Sequence, residues 1–278
     1  MSGAAALRGA AGRHSALIAS ISTFVVLGLL VLLVLLAPGW EEVQKAFFSG
    51  EHFRESLPMV WEGFKVNLKL MFAAQAIVLV FALVIAVIRG LPGPAAFPLR
   101  MLAVAYVDFF RGVPLILVVL VIGLGVPALG SEGIFAFTYT RDPFYYGLVS
   151  LVLVYSAYVA EVYRAGIESI HSSQTAAARS LGLSHGQSLR FVVVPQAVRR
   201  VIPPLLNDFI GLQKDTALVS FIGVAESARQ AQSYTAVTFN FTAYTVAAIL
   251  FIALTIPLAR FTDWLVERDR RKMRALGG

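Results

Sequence analysis

Four polar residues lie within apolar stretches of the sequence, where such side chains either pair with neighbouring residues or bind a polar group. They are Arg111, Glu161, Asn207 and Asp208. An arginine at the centre of a membrane span costs roughly 2.5–3.5 kcal/mol on insertion scales, so Arg111 needs a partner or a water-filled cavity. Asp108 lies three residues earlier on the same helix face, which leaves a local ion pair and a functional role both open.

Two local patterns surround these residues. The sequence RGVP that begins at Arg111 predicts a broken helix, because Gly112 and Pro114 both weaken helical hydrogen bonding. A helix broken near the midplane exposes backbone dipoles that can hold a zwitterion. Glu161 and Arg164, at i and i+3, form either a pair of snorkelling side chains at the interface or part of a polar route.

Asn207 and Asp208 belong to an apolar stretch that carries a polar face. At about 100° per residue, five polar or small residues fall on one narrow side of a helix: Gln196, Arg200, Asn207, Gly211 and Lys214. Such a face either packs against a neighbouring helix or lines a path, and both interpretations stay open. Pro203 and Pro204 free backbone carbonyls in the same stretch. Asn207 and Asp208 are the most deeply placed polar residues and are the candidates for a route.

Several kinds of chemistry are excluded by the sequence. The chain has no cysteine, so a thiolate metal site and a cysteine nucleophile are impossible. It contains neither a GxxxxGK[ST] phosphate loop nor an HExxH metal motif. We therefore predict a non-enzyme without a metal or cofactor of its own.

Composition places these residues in a membrane protein. Of 278 residues, 58% are hydrophobic and 14% are charged, and the mean hydropathy is +0.77. Continuous apolar blocks predict an all-α chain with about six transmembrane helices, since a bilayer offers the backbone no hydrogen-bond partner. The first block is longer than the apolar core of a cleaved signal peptide, so we predict a retained span, with a cleaved signal as the alternative. The blocks are Ala16–Ala37, Val66–Ile88, Pro98–Val126, Phe144–Ala165, Phe191–Leu212 and Ala236–Phe261.

The positions of Lys and Arg predict the orientation. With both termini in the cytoplasm, fifteen of the 23 basic residues lie in inner segments and seven in outer segments, with Arg111 inside a span. The basic tail ERDRRKMR directly follows the last span, so we expect it to lie against anionic lipid headgroups rather than to bind nucleic acid.

A polar segment, residues 167–190, then lies in the cytoplasm between the fourth and fifth spans. Ser173 is predicted to cap a helix that Gly182 ends in a left-handed turn. Ser184 and Gln187 form a capping box that starts a second helix. The segment is thus predicted to be two short helices joined at a glycine, with an Ala-rich face that another protein could approach.

The same segment resembles the EAA motif of ABC importer permeases, the loop that docks onto the ATPase subunit. Ala177, Ala178, Gly182 and Pro195 fall on the motif's positions, as do two valines of the run RFVVVP. Three further stretches resemble the polar amino acid branch of that superfamily: FFRGVPLILVVL, AYVAEVYRAGIESI and PQAVRRVIPPLLNDFIGLQKDTALVSFIGVAE. The resemblance implies the fold of type I importer permeases. Residues 64–265 would form the permease core, 1–63 an added span and outer loop, and 266–278 a basic tail.

The resemblance also implies a function and partners. The chain would be the passive permease subunit of a bacterial inner-membrane importer for polar or charged amino acids. Its partners would be ATPase subunits that bind ATP-Mg, an extracytoplasmic binding protein, and a second permease, identical or paralogous. The implied ATPase-coupling residues are Ser173, Gln174, Ala177, Ala178, Arg179, Gly182, Leu183 and Pro195. The implied position of Arg111 beside the route favours contact with a substrate carboxylate.

One departure from the motif and one alternative function remain. The motif's glutamate falls on Ala176 and its glycine on Ser173; we expect Ser173 to cap the helix where a glutamate arm is missing. The alternative function is an ion-driven secondary transporter. That class predicts inverted repeats and acidic ion sites in the membrane, whereas the sequence shows no repeat and few acidic residues in its apolar blocks.

Overall fold

The computed structural model describes residues 21–130 and 142–276, and every regular element within these ranges is helical. The long helices are α1 (Ile21–Leu35), α3 (Gly50–Arg89), α4 (Phe97–Gly112), α7 (Pro143–Glu168), α10 (Val194–Asp215) and α12 (Thr242–Leu276). The shorter ones are α2 (Trp40–Phe47), α5 (Leu115–Leu120), α6 (Val126–Ala128), α8 (Ser172–Ser180), α9 (His185–Ser188) and α11 (Ser227–Thr238).

Three described helical stretches are long and apolar enough to cross a membrane: Trp40–Arg89, Pro143–Glu168 and Thr242–Arg268. The pair Phe97–Gly112 and Leu115–Ala128 makes a fourth if it is counted as one broken span. The other two predicted spans correspond to α1, which is described over Ile21–Leu35, and to α10, which is 22 residues long but carries many charged residues. The first residues of the predicted block Ala16–Ala37 lie outside the described ranges, as do Arg8, Arg13 and Arg141.

The break predicted after Arg111 is confirmed. The chain bends by 104° between α4 and α5, where Val113 is extended and Pro114 precedes α5. A π-helical turn, Val121–Gly125, follows α5, and its Gly123 packs directly on Ile222. The second half of this span therefore lies across the bundle instead of continuing the axis of α4.

The predicted outer loop before the second span is largely helical. Helix α3 begins at Gly50, capped by the Ser49 side chain, and continues unbroken to Arg89 with Pro58 inside it. Its first turns bury Ser56, Val60 and Gly63, because they pack against α11 and α12. The predicted division between residues 63 and 64 falls inside this helix.

The core lies between α3 and α7, with α10 and the 3-10 helix Thr216–Ile222 packed on them. Small residues allow these close approaches. A Cβ at Gly63 would lie 2.6 Å from the backbone of Glu226, and one at Gly147 would lie 2.8 Å from Val219. This core packs α3, α7 and α10 together, and the candidate site lies where α7 ends at Glu168 and the chain enters α10 at Val194.

Candidate functional site

The predicted helix-turn segment is present between α7 and α10. Helix α8 ends at Ser180, and Gly182 follows with φ of +87°. The Gly182 N–H donates to the carbonyl of Arg179 at 3.0 Å, and the Leu183 N–H donates to that of Ala178 at 3.2 Å. This pair of bonds is the Schellman arrangement, which favours glycine at the left-handed position. The prediction that Gly182 ends the helix is confirmed.

The capping box is also confirmed. The Ser184 N–H donates to Gln187 Oε1 at 2.8 Å, and the Gln187 N–H donates to Ser184 Oγ at 3.3 Å. Helix α9 then continues through a π-helical turn, Leu189–Val193, directly into α10. Because no loop separates them, a displacement of α9 would act directly on the span.

The predicted cap at Ser173 is wrong. His171 is the capping residue, and its Nδ1 accepts from the Ser173 N–H at 3.3 Å and contacts Ser173 Oγ at 2.8 Å. Ser173 is thus the second helical residue and Ala176 the fifth. A glutamate at Ala176 would lie beyond the position that bonds back to a cap, so the expected loss of a capping arm does not apply here.

The predicted coupling residues differ in exposure. Ser173, Gln174, Ala177, Arg179, Gly182 and Pro195 are exposed and Leu183 is half-buried. Ala178 is buried, so its methyl group packs against the chain's own body. Leu181, which is not among the predicted coupling residues, is 83% exposed just before the glycine. A leucine between a helix end and a left-handed glycine is a signal that could have identified it.

The segment is fixed to the membrane helices at its base. Ile170, Val193 and Ala197 form a small apolar cluster beneath it, and Arg200 Nη1 donates to the carbonyl of Ser169. A Cβ at Gly166 would overlap Val201, so α7 and α10 approach each other closely only because that residue is glycine. The segment is therefore anchored by contacts of its base with both α7 and α10.

Glu161 is the centre of a charged cluster. Its carboxylate accepts from Arg89 Nη1 at 2.9 Å and from Arg164, while Arg111 Nη1 lies 4.0 Å away. Arg164 also contacts Glu168. The predicted pair of Glu161 and Arg164 is confirmed, but Arg89 comes from another helix and could not be found from local spacing.

The proposed pair of Asp108 and Arg111 is not formed. Within the described residues, the ion pair recorded for Arg111 is with Glu161, across the interface of α4 and α7. The Arg111 side chain is 43% exposed. The described helices therefore enclose this side chain only in part.

The polar face of α10 forms contacts within its own helix and with the neighbouring helix α7. Gln196 donates to the carbonyl of Val192, and a Cβ at Gly211 would lie 3.0 Å from Tyr155 Oη. Asn207 is exposed and Asp208 is half-buried, with its Oδ2 buried and lacking a hydrogen-bond partner among the described residues. Within the same ranges, neither forms a hydrogen bond or ion pair with Arg111 or Glu161. The four route candidates therefore form two groups.

Sequence comparison places the chain among known proteins. A family model described as the inner membrane component of binding-protein-dependent transport systems matches residues 95–271. The chain belongs to this family. The probable glutamine ABC transporter permease protein GlnP of Bacillus subtilis (strain 168) is 32% identical over 216 residues, covering 76% of this chain and 94% of that protein. The glutamine transport system permease protein GlnP of Escherichia coli (strain K12) is 32% identical over 223 residues, covering 80% and 95%.

Solved structures agree with this assignment. The crystal structure of an amino acid ABC transporter with histidines has a TM-score of 0.68 and 33% sequence identity, covering 76% of this chain and 94% of that one. The MetNI methionine ABC transporter in an inward-facing form has a TM-score of 0.58 at 19% identity, and this shows the fold alone. The all-α type I importer permease fold is confirmed. The chain is a multi-pass transport subunit of an ABC importer, and the ion-driven alternative is not supported.

Proposed function

We propose that this permease carries a polar amino acid inward across a bacterial cytoplasmic membrane. A separate pair of ATPase subunits would bind and hydrolyse ATP-Mg, and an extracytoplasmic binding protein would deliver the solute. The names of the relatives, which include glutamine and arginine permeases, support a polar solute. The observation that carries the coupling role is the exposed segment 171–188, rooted in both α7 and α10.

The ATPase would grip this segment from the cytoplasm. Leu181 offers an apolar side chain for a groove on the ATPase, and Gln174, Ala177 and Arg179 offer the rim of the contact. Pro195, exposed in the first turn of α10, would mark the point where the movement enters the membrane. The solute would bind the two conformational states of the permease with different affinities, and this difference would carry it across the membrane.

The solute would contact both groups of polar residues along the route, Arg111 with Glu161 and Asn207 with Asp208. Arg111 is the partner for its carboxylate, because its guanidinium is only loosely engaged by Glu161 at 4.0 Å. Glu161, Asn207 and Asp208 would line the rest of the route. Arg111 would pair with the ligand carboxylate while Arg89 and Arg164 keep their pairs with Glu161.

The assembly would contain a second permease, identical or paralogous, with a route between the two copies. Both termini would lie in the cytoplasm, as the distribution of basic residues favours. Residues 64–265 would serve as the permease core, residues 1–63 as an added span, and the basic tail 266–278 would lie against lipid headgroups.

The test is the substitution Leu181→Asp. An aspartate there would place a charge in the apolar contact, and we expect co-purification of the permease with its ATPase from detergent to fall about tenfold or more. The matched control is Val237→Asp in α11, on the opposite side under the proposed topology, where the original side chain is 79% exposed. It should leave co-purification unchanged. If both variants retain the ATPase equally, the segment is not the site that binds the ATPase.

A further inference from the structure

A cavity of about 490 Å³ opens between the cytoplasmic ends of α3, α4 and α7. Three arginines from three helices line it: Arg89 at the end of α3, Arg100 in α4 and Arg164 in α7. The glutamate in the lining, Glu168, already contacts Arg164. The cavity is thus a basic pocket at the inner edge of the apolar helices.

The charges in and behind this cavity do not balance. Arg89 and Arg164 share Glu161, and Arg164 also contacts Glu168. Arg100 has no carboxylate partner in the part of the chain that the structure describes. Its Nη1 instead donates to the carbonyls of Leu91 at 2.6 Å and Gly93 at 2.9 Å, in the turn between α3 and α4. These bonds hold the guanidinium of Arg100 at the cavity, where no carboxylate of the described residues offsets its positive charge.

The remaining walls are apolar and open outward. Phe97, Met101 and Ile167 line the cavity with about half of each side chain exposed. They continue the exposed apolar surface of α4, which includes Leu99 and Leu102. An occupant would therefore meet hydrocarbon-compatible surface on one side and arginine on the other.

We propose that this cavity binds the headgroup of an anionic phospholipid from the cytoplasmic leaflet. The phosphodiester, with its single negative charge, would contact Arg100, and the upper acyl chain would lie along Phe97 and Met101. Basic pockets between the inner ends of membrane helices are suited to such headgroups. A free phosphate would match the charge but would leave the apolar walls uncovered. The lipid would lie beside the base of segment 171–188.

The absence of cysteine from the chain makes a local probe straightforward. The full-length permease with Ile167→Cys carries a fluorophore in the cavity and is reconstituted in vesicles of phosphatidylcholine and phosphatidylglycerol. Two preparations of equal composition differ only in which lipid is brominated near its headgroup. We expect brominated phosphatidylglycerol to quench about fivefold more per lipid than brominated phosphatidylcholine, as one arginine near an anionic surface contributes ~1 kcal/mol.

Two variants decide the role of the charge. Arg100→Gln should bring the quenching ratio to about one, while Arg260→Gln, an exposed arginine at the inner end of α12, should leave it unchanged. Met101→Glu adds a negative charge without removing the bonds of Arg100 to the turn, and it should also abolish the preference. Equal quenching by both lipids in the labelled Ile167→Cys permease without a second substitution would overturn the proposal, as would a preference that survives both variants.

The source of the anion is tested in the same vesicles. Excess inorganic phosphate should not reduce the preference for phosphatidylglycerol; its loss would indicate a site for a soluble anion and overturn the lipid assignment. The measurement needs neither ATP nor solute. A negative result would therefore leave the proposed transport function untouched.

Discussion

Two glutamates, Glu226 at the N-terminal cap of α11 and Glu161 in α7, have opposite surroundings. Glu226 is fully buried, and its oxygens accept from Asn67 Nδ2 at 3.0 Å and from the backbone N–H groups of Ala228 and Arg229 at 2.9 and 2.7 Å. The side chain of Glu161 is 22% exposed and faces three arginines. The first carboxylate is enclosed by neutral donors, whereas the second is outnumbered by cations.

This difference separates a structural group from an exchangeable one. The partners of Glu226 are a buried amide and the first turn of α11, and Asn67 also binds Thr216 and the Ser227 N–H. No member can leave without exposing a donor to an apolar interior. Around Glu161, by contrast, the proposed ligand anion would replace the carboxylate at Arg111 while Arg89 and Arg164 keep it in place.

Replacing Glu226 with alanine should have the largest effect on stability. Asn67 and the two backbone N–H groups would lose their acceptor, and each buried unsatisfied donor costs about 1–3 kcal/mol. We expect a loss of about 3 kcal/mol or more, measured as a lower unfolding temperature of the detergent-solubilised permease. Glu62→Ala is the control, since its exposed pair with Lys65 contributes less than about 1 kcal/mol. Similar small shifts for both would contradict the structural role of the network.

Replacing Glu161 with glutamine should reduce transport more than stability. Because the cluster is partly exposed, water can solvate the arginines that lose their carboxylate, and we expect a smaller stability loss of about 1–2 kcal/mol. Amino acid uptake should fall about tenfold or more, because three arginines without a carboxylate partner would all bind the ligand anion and hinder its release. Asp263→Asn, in an exposed pair on α12, should change neither quantity. Uptake at the unsubstituted rate would show that the cluster only holds helices together.

Features that depend on residues close together in the sequence could be predicted from it. Helix α7 was predicted as Phe144–Ala165 and observed as Pro143–Glu168, because its apolar run is continuous and Asp142 caps it through the Phe144 N–H. The turn at Gly182 was predicted correctly for the same reason. Each depends on residues only a few positions apart.

Contacts between distant residues had no such signal. Arg89 reaches Glu161 across 72 positions, and Asn67 reaches Glu226 across 159. The early start of α3 was missed because the charged residues near Glu51 and Glu62 indicate a solvated loop, while their helix is stabilised by packing on α11. The cap at His171 was missed because serine is a stronger cap by composition.

Introducing a glutamate at Ala176 should have the smallest effect. The position is exposed in the middle of α8, beyond reach of the cap at His171, so a carboxylate there would stay hydrated. We expect a change in stability within about 0.5 kcal/mol, measured by thermal unfolding, and ATP hydrolysis of the assembled transporter that is equal or higher. Ala177→Glu, also exposed but among the proposed docking positions, is the comparison and should reduce coupled hydrolysis. A sharp loss of coupling in Ala176→Glu would show that the ATPase contacts this alanine directly, and would extend the docking surface to a side of α8 that the proposal leaves in water.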